Sequence, residues 1–151
     1  VQGAHVAQPP IAVGPALTGI DYAPAMLEIA RQRWPDGDWR LGDMRTLDLP
    51  ERFHGIIGWD SFFHLTPDEQ RACFPVLARH LEPGGVLMVT VGPEAGEATG
   101  EVAGERVYHA SLSPADYARC LQDCGLRLTG FLADDPDCNF HSVLMARKPA
   151  V

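Results

Sequence analysis

The sequence predicts an α/β fold: a mostly parallel sheet flanked by helices and finished by an antiparallel hairpin. Three observations predict it. Short apolar runs alternate with helical patterns from Leu17 onward. The run Gly55-Ile-Ile-Gly-Trp-Asp60 is continuously apolar until its final acid, as expected of a strand covered on both faces. The last two strand-like runs have no helix between them, only the turn-rich Ala133-Asp-Asp-Pro-Asp137. Fifteen glycines and 13 prolines suit many short connections better than a bundle of long helices.

The elements follow in order. Residues 17–20 form a short strand, and Pro24 then stands at a helix start, with Met26, Ile29, Ala30 and Arg33 spaced for one face up to Trp34-Pro35. Residues 38–41 are the second strand and residues 55–60 the third. Thr66-Pro67-Asp68-Glu69 sets a cap, a first-turn proline and an acid three residues after the cap. Phe74, Leu77, Ala78 and Leu81 make the apolar stripe of that helix, which Pro75 either bends or trims. Gly84-Gly85 leads into the best strand, residues 86–91. Ser113-Pro114-Ala115-Asp116 repeats the helix-start signal, Tyr117, Cys120, Leu121 and Cys124 form the buried face, and Gly125 ends it. Residues 126–131 and 139–146 are the final strands. Residues 92–113 are a polar excursion, long enough to fold over a cleft.

With 151 residues, the chain reads as one domain, residues 1–151. Twelve basic against 20 acidic residues give a net charge of −8, which disfavours a duplex nucleic-acid surface and leaves a small-molecule partner as the expectation. No apolar run is long enough to span a bilayer, and the first twenty residues lack a basic segment followed by a long apolar one. The expectation is therefore a cytoplasmic protein with no membrane partner. Cys73, Cys120, Cys124 and Cys138 sit mostly in apolar patterns and read as reduced core thiols. Cys120, Cys124, Cys138 and His141 lack the tight knuckle of a structural zinc site, so no metal is expected.

In open sheets, ligands bind beyond the carboxyl ends of the strands, where Asp21, Asp43 and Asp60 all fall. The two coplanar oxygens of Asp21 suit a pair of ribose hydroxyls, although a helix cap ahead of Pro24 would also explain it. Asp43 suits an adenine amine with Met44 against the ring; the alternative is a turn-capping acid beside a core methionine. Asp60 and Trp59 stand at the mouth of the third strand, with packing as the other account of Trp59. Met26, Phe62 and Phe63 read as core. His64 is the most tempting acid or base, against a plain loop hydrogen bond ahead of the Thr66 cap, and Tyr108 and His109 lie in the polar excursion. Neither a nucleophile elbow nor a phosphate loop with its lysine is present.

From Thr18 to Lys148 the chain resembles the small class I S-adenosylmethionine-dependent methyltransferases, a Rossmann-like family. The likeness rests on Gly19-Ile-Asp21 with Pro24-Ala-Met-Leu27, on Gly42-Asp43-Met44, on Asp60-Ser-Phe-Phe-His64, on Leu81-Glu-Pro-Gly-Gly85, and on the antiparallel finish. The resemblance implies S-adenosylmethionine as cofactor, with Asp21, Tyr22, Asp43, Met44, Trp59 and Asp60 holding it. It implies methyl transfer to a small-molecule acceptor that Asp60, His64, Tyr108 and His109 orient or deprotonate. One departure stands out. The family opens with a strand, a glycine-rich turn and a helix, whereas residues 1–16 hold Pro9-Pro10 and no Gly-x-Gly. The expectation is a first strand and helix absent or abbreviated, a truncated N-terminus, and exposed strand edges that would favour a homodimer. A degenerate, non-catalytic module of the same fold is the rival reading.

Overall fold

The computed structural model describes residues 16–102 and 104–150. Strand β1 (Thr18–Asp21) leads through helix α1 (Pro24–Arg33) to β2 (Asp38–Leu41), which lies parallel to it. Pro24 sits in the first turn of α1, where its missing N–H leaves no gap in the helical ladder. Trp39 keys this small ladder. Its ring lies over Gly19 so closely that a Cβ there would stand 2.1 Å from it, and its indole donates to the Trp34 carbonyl at 2.8 Å. Position 19 therefore has room for glycine alone.

Next come β3 (Phe53–Gly58), α2 (Pro67–Arg79) and β4 (Leu81–Val91). A hairpin of β5 (Gly96–Val102) and β6 (Glu105–Ser111) follows, then α3 (Pro114–Asp123), β7 (Arg127–Asp135) and β8 (His141–Arg147). The main sheet runs β3-β4-β8-β7: β3 is parallel to β4, and the last two strands are antiparallel. This is the mixed sheet with a hairpin finish that the sequence predicts.

Helices α2 and α3 cover one face of that sheet. Phe62, Phe74, Leu77, Leu81, Leu87, Val89, Tyr117, Leu121 and Leu144 form the core there, each at most 5% exposed. Both helix starts are capped as predicted. Thr66 and Glu69 exchange a full capping box, and Ser113 accepts from the Asp116 N–H. The α3 chain turns away at Gly125, whose φ of +77° suits glycine. The loop after β2 docks the first ladder on α2. Cys73 donates to the Met44 carbonyl, Arg79 reaches the Leu47 carbonyl, and the Leu49 N–H donates to His80 Nε2 at 2.9 Å.

Four expectations need correction. Of the two expectations for Pro75, trimming is ruled out: α2 runs from Pro67 to Arg79 with Pro75 inside it, on the exposed side. The third strand is Phe53–Gly58 and is not covered on both faces: Ile56 packs against the core, while Ile57 is 71% exposed. The polar excursion is no irregular loop but the β5–β6 hairpin, in register from Gly96↔Ser111 to Val102↔Glu105. Of the two aromatics after Asp60, Phe62 is core, but Phe63 lines a cavity. The abbreviated opening expected at residues 1–16 lies, except for Ala16, outside the described residues.

Candidate active site

Three clusters gather at the carboxyl ends of the parallel strands. The first is built by β1 and β2. Asp21 Oδ1 accepts the Ala23 N–H at 2.7 Å, an Asx turn that aims the chain into α1, and Oδ2 has no partner among the described residues. Tyr22 beside it is 75% exposed. The Gly42 N–H donates to the Asp21 carbonyl, so the turn after β2 is tied to the same edge. Asp43 in that turn grips Arg45 with both oxygens, at 2.6 to 3.0 Å, and Arg45 continues to Glu69. The Arg45 contacts hold the Asp43 carboxyl below the usual range. Met44 packs on the core while its carbonyl takes the Cys73 thiol.

The second cluster joins residues far apart in sequence. The Phe62–His64 turn packs under β6, so that the rings of His64 and His109 stack at 4.9 Å and Phe63 meets His109 edge-on at 5.1 Å. His64 Nδ1 donates to the Tyr108 carbonyl at 3.0 Å, since a carbonyl can only accept. Tyr108 donates to Glu97, and burial together with that carboxylate pushes its phenol up to about 12. Burial, then the neighbouring His64, push His109 down from 6.5, so its ring is neutral at pH 7 and offers a lone pair. A cavity of about 400 Å³ opens against this ring, lined also by Phe63, Glu94, Glu97 and Ser111 and roofed by the β5–β6 hairpin. His64 and His109 are thus brought together, and Tyr108 joins them through its backbone carbonyl while its hydroxyl goes to Glu97.

The third cluster contains a residue that sequence reasoning missed. Asp60 follows β3 in the left-handed region at φ 49°, its N–H held by the buried Thr90 hydroxyl at 2.9 Å. Its Oδ1 lies 2.6 Å from His141 Nε2, and the Trp59 ring lies 5.2 Å from the His141 ring. His141 enters the sequence reading only through the weak set with Cys120, Cys124 and Cys138. Among the described residues, no group of three or more His, Cys, Asp or Glu side chains is arranged to hold a metal ion. No local signal marks the Asp60 contact, because 81 positions separate the partners.

A split sheet with strand-end acids and an antiparallel finish narrows the family, and sequence comparison decides it. The model of a family described as "Methyltransferase domain" matches residues 4–85, more than half of the chain. The chain belongs to this methyltransferase family. A dTDP-3-amino-3,4,6-trideoxy-alpha-D-glucopyranose N,N-dimethyltransferase of Streptomyces venezuelae is 38% identical over 73 residues, 47% of this chain and 31% of that protein. A malonyl-[acyl-carrier protein] O-methyltransferase of Serratia marcescens is 34% identical over 104 residues, 66% of this chain and 40% of that protein. The matched part thus spans about a third of these curated relatives' length.

Solved structures agree on the fold, that of the class I S-adenosylmethionine-dependent methyltransferases. CalS10, an amino pentose methyltransferase from Micromonospora echinaspora solved with S-adenosylmethionine bound, superposes with a TM-score of 0.71 at 21% identity, covering 89% of this chain and 74% of that one. The glycopeptide N-methyltransferase MtfA, complexed with S-adenosylhomocysteine, gives 0.70 at 16% identity, over 87% and 73%.

Proposed function

We propose that this methyltransferase-family chain moves a methyl group from S-adenosylmethionine to a small-molecule acceptor seated under the β5–β6 hairpin. The observation that carries the reading is the pairing of a cofactor-type edge with a separate, open cavity lined by a neutral histidine. The edge fits the cofactor: Asp21 Oδ2 is unengaged among the described residues, and Tyr22 offers an exposed ring beside it. Asp21 would accept the ribose hydroxyls, and Tyr22 and Met44 would flank the adenosyl group. Trp59 and Asp60 would border its methionine end.

When bound, S-adenosylmethionine supplies an electrophilic methyl on a cationic sulfur, so the protein's tasks are alignment, exclusion of water and removal of one proton. His109 suits the proton. It is neutral at pH 7 and lines the cavity. His64 already donates to the Tyr108 carbonyl and acts by orienting His109, while Tyr108 keeps its own proton at neutral pH.

One observation favours the rival, a non-catalytic module. Asp43 spends both oxygens on Arg45, which suits a structural turn better than an adenine contact. Calorimetry with S-adenosylmethionine on this chain separates the two readings. We expect binding by the parent and a loss of at least about tenfold in affinity for Asp21→Ala, the size of losing a charge-assisted hydrogen bond. Well-folded parent protein that binds no cofactor would establish the module instead.

A further inference from the structure

The Asp60–His141 contact contains more chemistry than its distance suggests. His141 Nδ1 lies 2.8 Å from the Cys138 carbonyl, which has no proton to give, so Nδ1 carries one. In a neutral ring Nε2 would then be a bare lone pair, facing a carboxylate oxygen at 2.6 Å. Two acceptors repel at that separation, so a second proton lies between them. The contrast with His80 is instructive. There Nδ1 donates to the Val76 carbonyl at 2.7 Å, Nε2 accepts the Leu49 N–H, and one proton suffices.

The surroundings are strained around this pair. All four left-handed non-glycine residues among those described, Asp60, Asp134, Asn139 and Phe140, lie at the two ends of the contact. Such conformations are strained and persist only where neighbours enforce them. The enforcing contacts are present: Phe140 N–H to the Asp135 carbonyl at 2.8 Å, Asp134 N–H to Ser142 Oγ at 3.1 Å, and Asp60 N–H to Thr90. Meanwhile Asp60 Oδ2 has no partner among the described residues, and the side chain keeps 20% of its surface exposed.

We propose that His141 is a positioning residue: held as a doubly protonated ring between the Cys138 carbonyl and Asp60, it fixes the Asp60 carboxylate so that Oδ2 receives a cationic group of the bound cofactor. This rests on the methyltransferase reading above. S-adenosylmethionine offers two such groups, its sulfonium and its α-ammonium. The acidic groups near the ring are Asp60 from beyond the end of β3, Asp134 and Asp135 at the end of β7, and Asp137 in the turn that follows. The Cys138 thiol is there too, raised by burial and those acids, and β4 contributes the uncharged Thr90. No cationic side chain makes a hydrogen bond to the pair among the described residues.

The test uses the 151-residue chain with His141→Leu and His141→Gln, whose amide can still donate to Asp60. Nitrogen-15 NMR of the parent at pH 6.5 should show both His141 ring nitrogens protonated, and Asp60→Asn should leave Nε2 bare. Amide exchange at Asp60 should quicken in His141→Leu. Calorimetry should show S-adenosylmethionine affinity about tenfold weaker in His141→Leu and restored to within about threefold in His141→Gln. Equal weakening for S-adenosylhomocysteine identifies the ammonium as the group received; weakening for S-adenosylmethionine alone identifies the sulfonium; neutral 5′-methylthioadenosine should be unaffected. A bare Nε2 in the parent, or His141→Leu binding like the parent, overturns the proposal, as does His141→Gln binding no better than His141→Leu. If the parent binds none of the three, the methyltransferase reading fails with Oδ2's role, and the ring spectrum and Asp60 exchange alone decide whether His141 holds the carboxylate.

Discussion

The buried side of the main sheet and its carboxyl-end rim treat polar groups in opposite ways. On the buried side, Gln70 is fully enclosed, and its amide donates to the Leu65 and Ala110 carbonyls at 2.9 and 2.8 Å. Its oxygen accepts from Tyr117 at 2.7 Å, and the Tyr117 hydroxyl in turn takes the Leu112 N–H and lies 2.9 Å from Ser111 Oγ. Every group finds a partner, and no backbone there is left-handed. At the rim, Asp60, Asn139 and Phe140 sit in strained conformations, and Asp21 and Asp60 each keep one carboxylate oxygen unengaged among the described residues. The difference separates two jobs. Full satisfaction in the core specifies one structure, whereas strain and spare valence at the rim are what a ligand can use.

The largest effect should come from breaking the satisfied side. Gln70→Leu takes from the Tyr117 hydroxyl its Gln70 acceptor and from the buried Ala110 and half-buried Leu65 carbonyls their Gln70 donor, and should cost about 3 kcal/mol in urea unfolding. A loss under about 1 kcal/mol would show that the network is not the anchor described. The opposite sign is expected at the rim. Phe140 has φ 59° and is 70% exposed as a residue, so Phe140→Gly relieves strain with little packing lost. Offset by the greater freedom of glycine in the unfolded chain, it should stabilise by about 0.5 kcal/mol. A destabilised variant would mean that the ring packs in solution.

The smallest effect is a pH slope. His109 binds its proton less readily folded than unfolded, so the unfolded state holds more protons below pH 6.5 and stability falls as the pH drops through that range. His109→Gln should flatten that part of the stability curve, read by thermal unfolding at pH 5 to 7. An unchanged slope would move the cause to another group.

How much of this was legible in the sequence depended on the range of the interaction. The Thr66–Glu69 box, the Ser113 cap and Gly125 are local devices, and each appears where its residues predict. The β5–β6 hairpin was not legible. Gly96, Gly100 and Gly104 with interspersed glutamates look like a loop; the strands pair with each other, and among the described residues only the end of β6, at Ala110 and Ser111, is buried. The exposure of Ile57 was also hidden, because an apolar run does not say which neighbours its strand has. At the site, the strand-end acids were visible as residues, but their partners were not: Arg45 for Asp43 and His141 for Asp60 are facts of folding.

The fit of Trp39 over Gly19 carries a consequence for how such a chain can drift over generations. A methyl group at position 19 has nowhere to go while the indole is present, and removing the indole first leaves a hollow beside β1 and drops the bond to Trp34. Each change alone is penalised, so the two positions should vary together or not at all. A descendant with a side chain at 19 should carry a smaller residue at 39, and the pair would serve as an inherited mark of this particular β1–β2 edge.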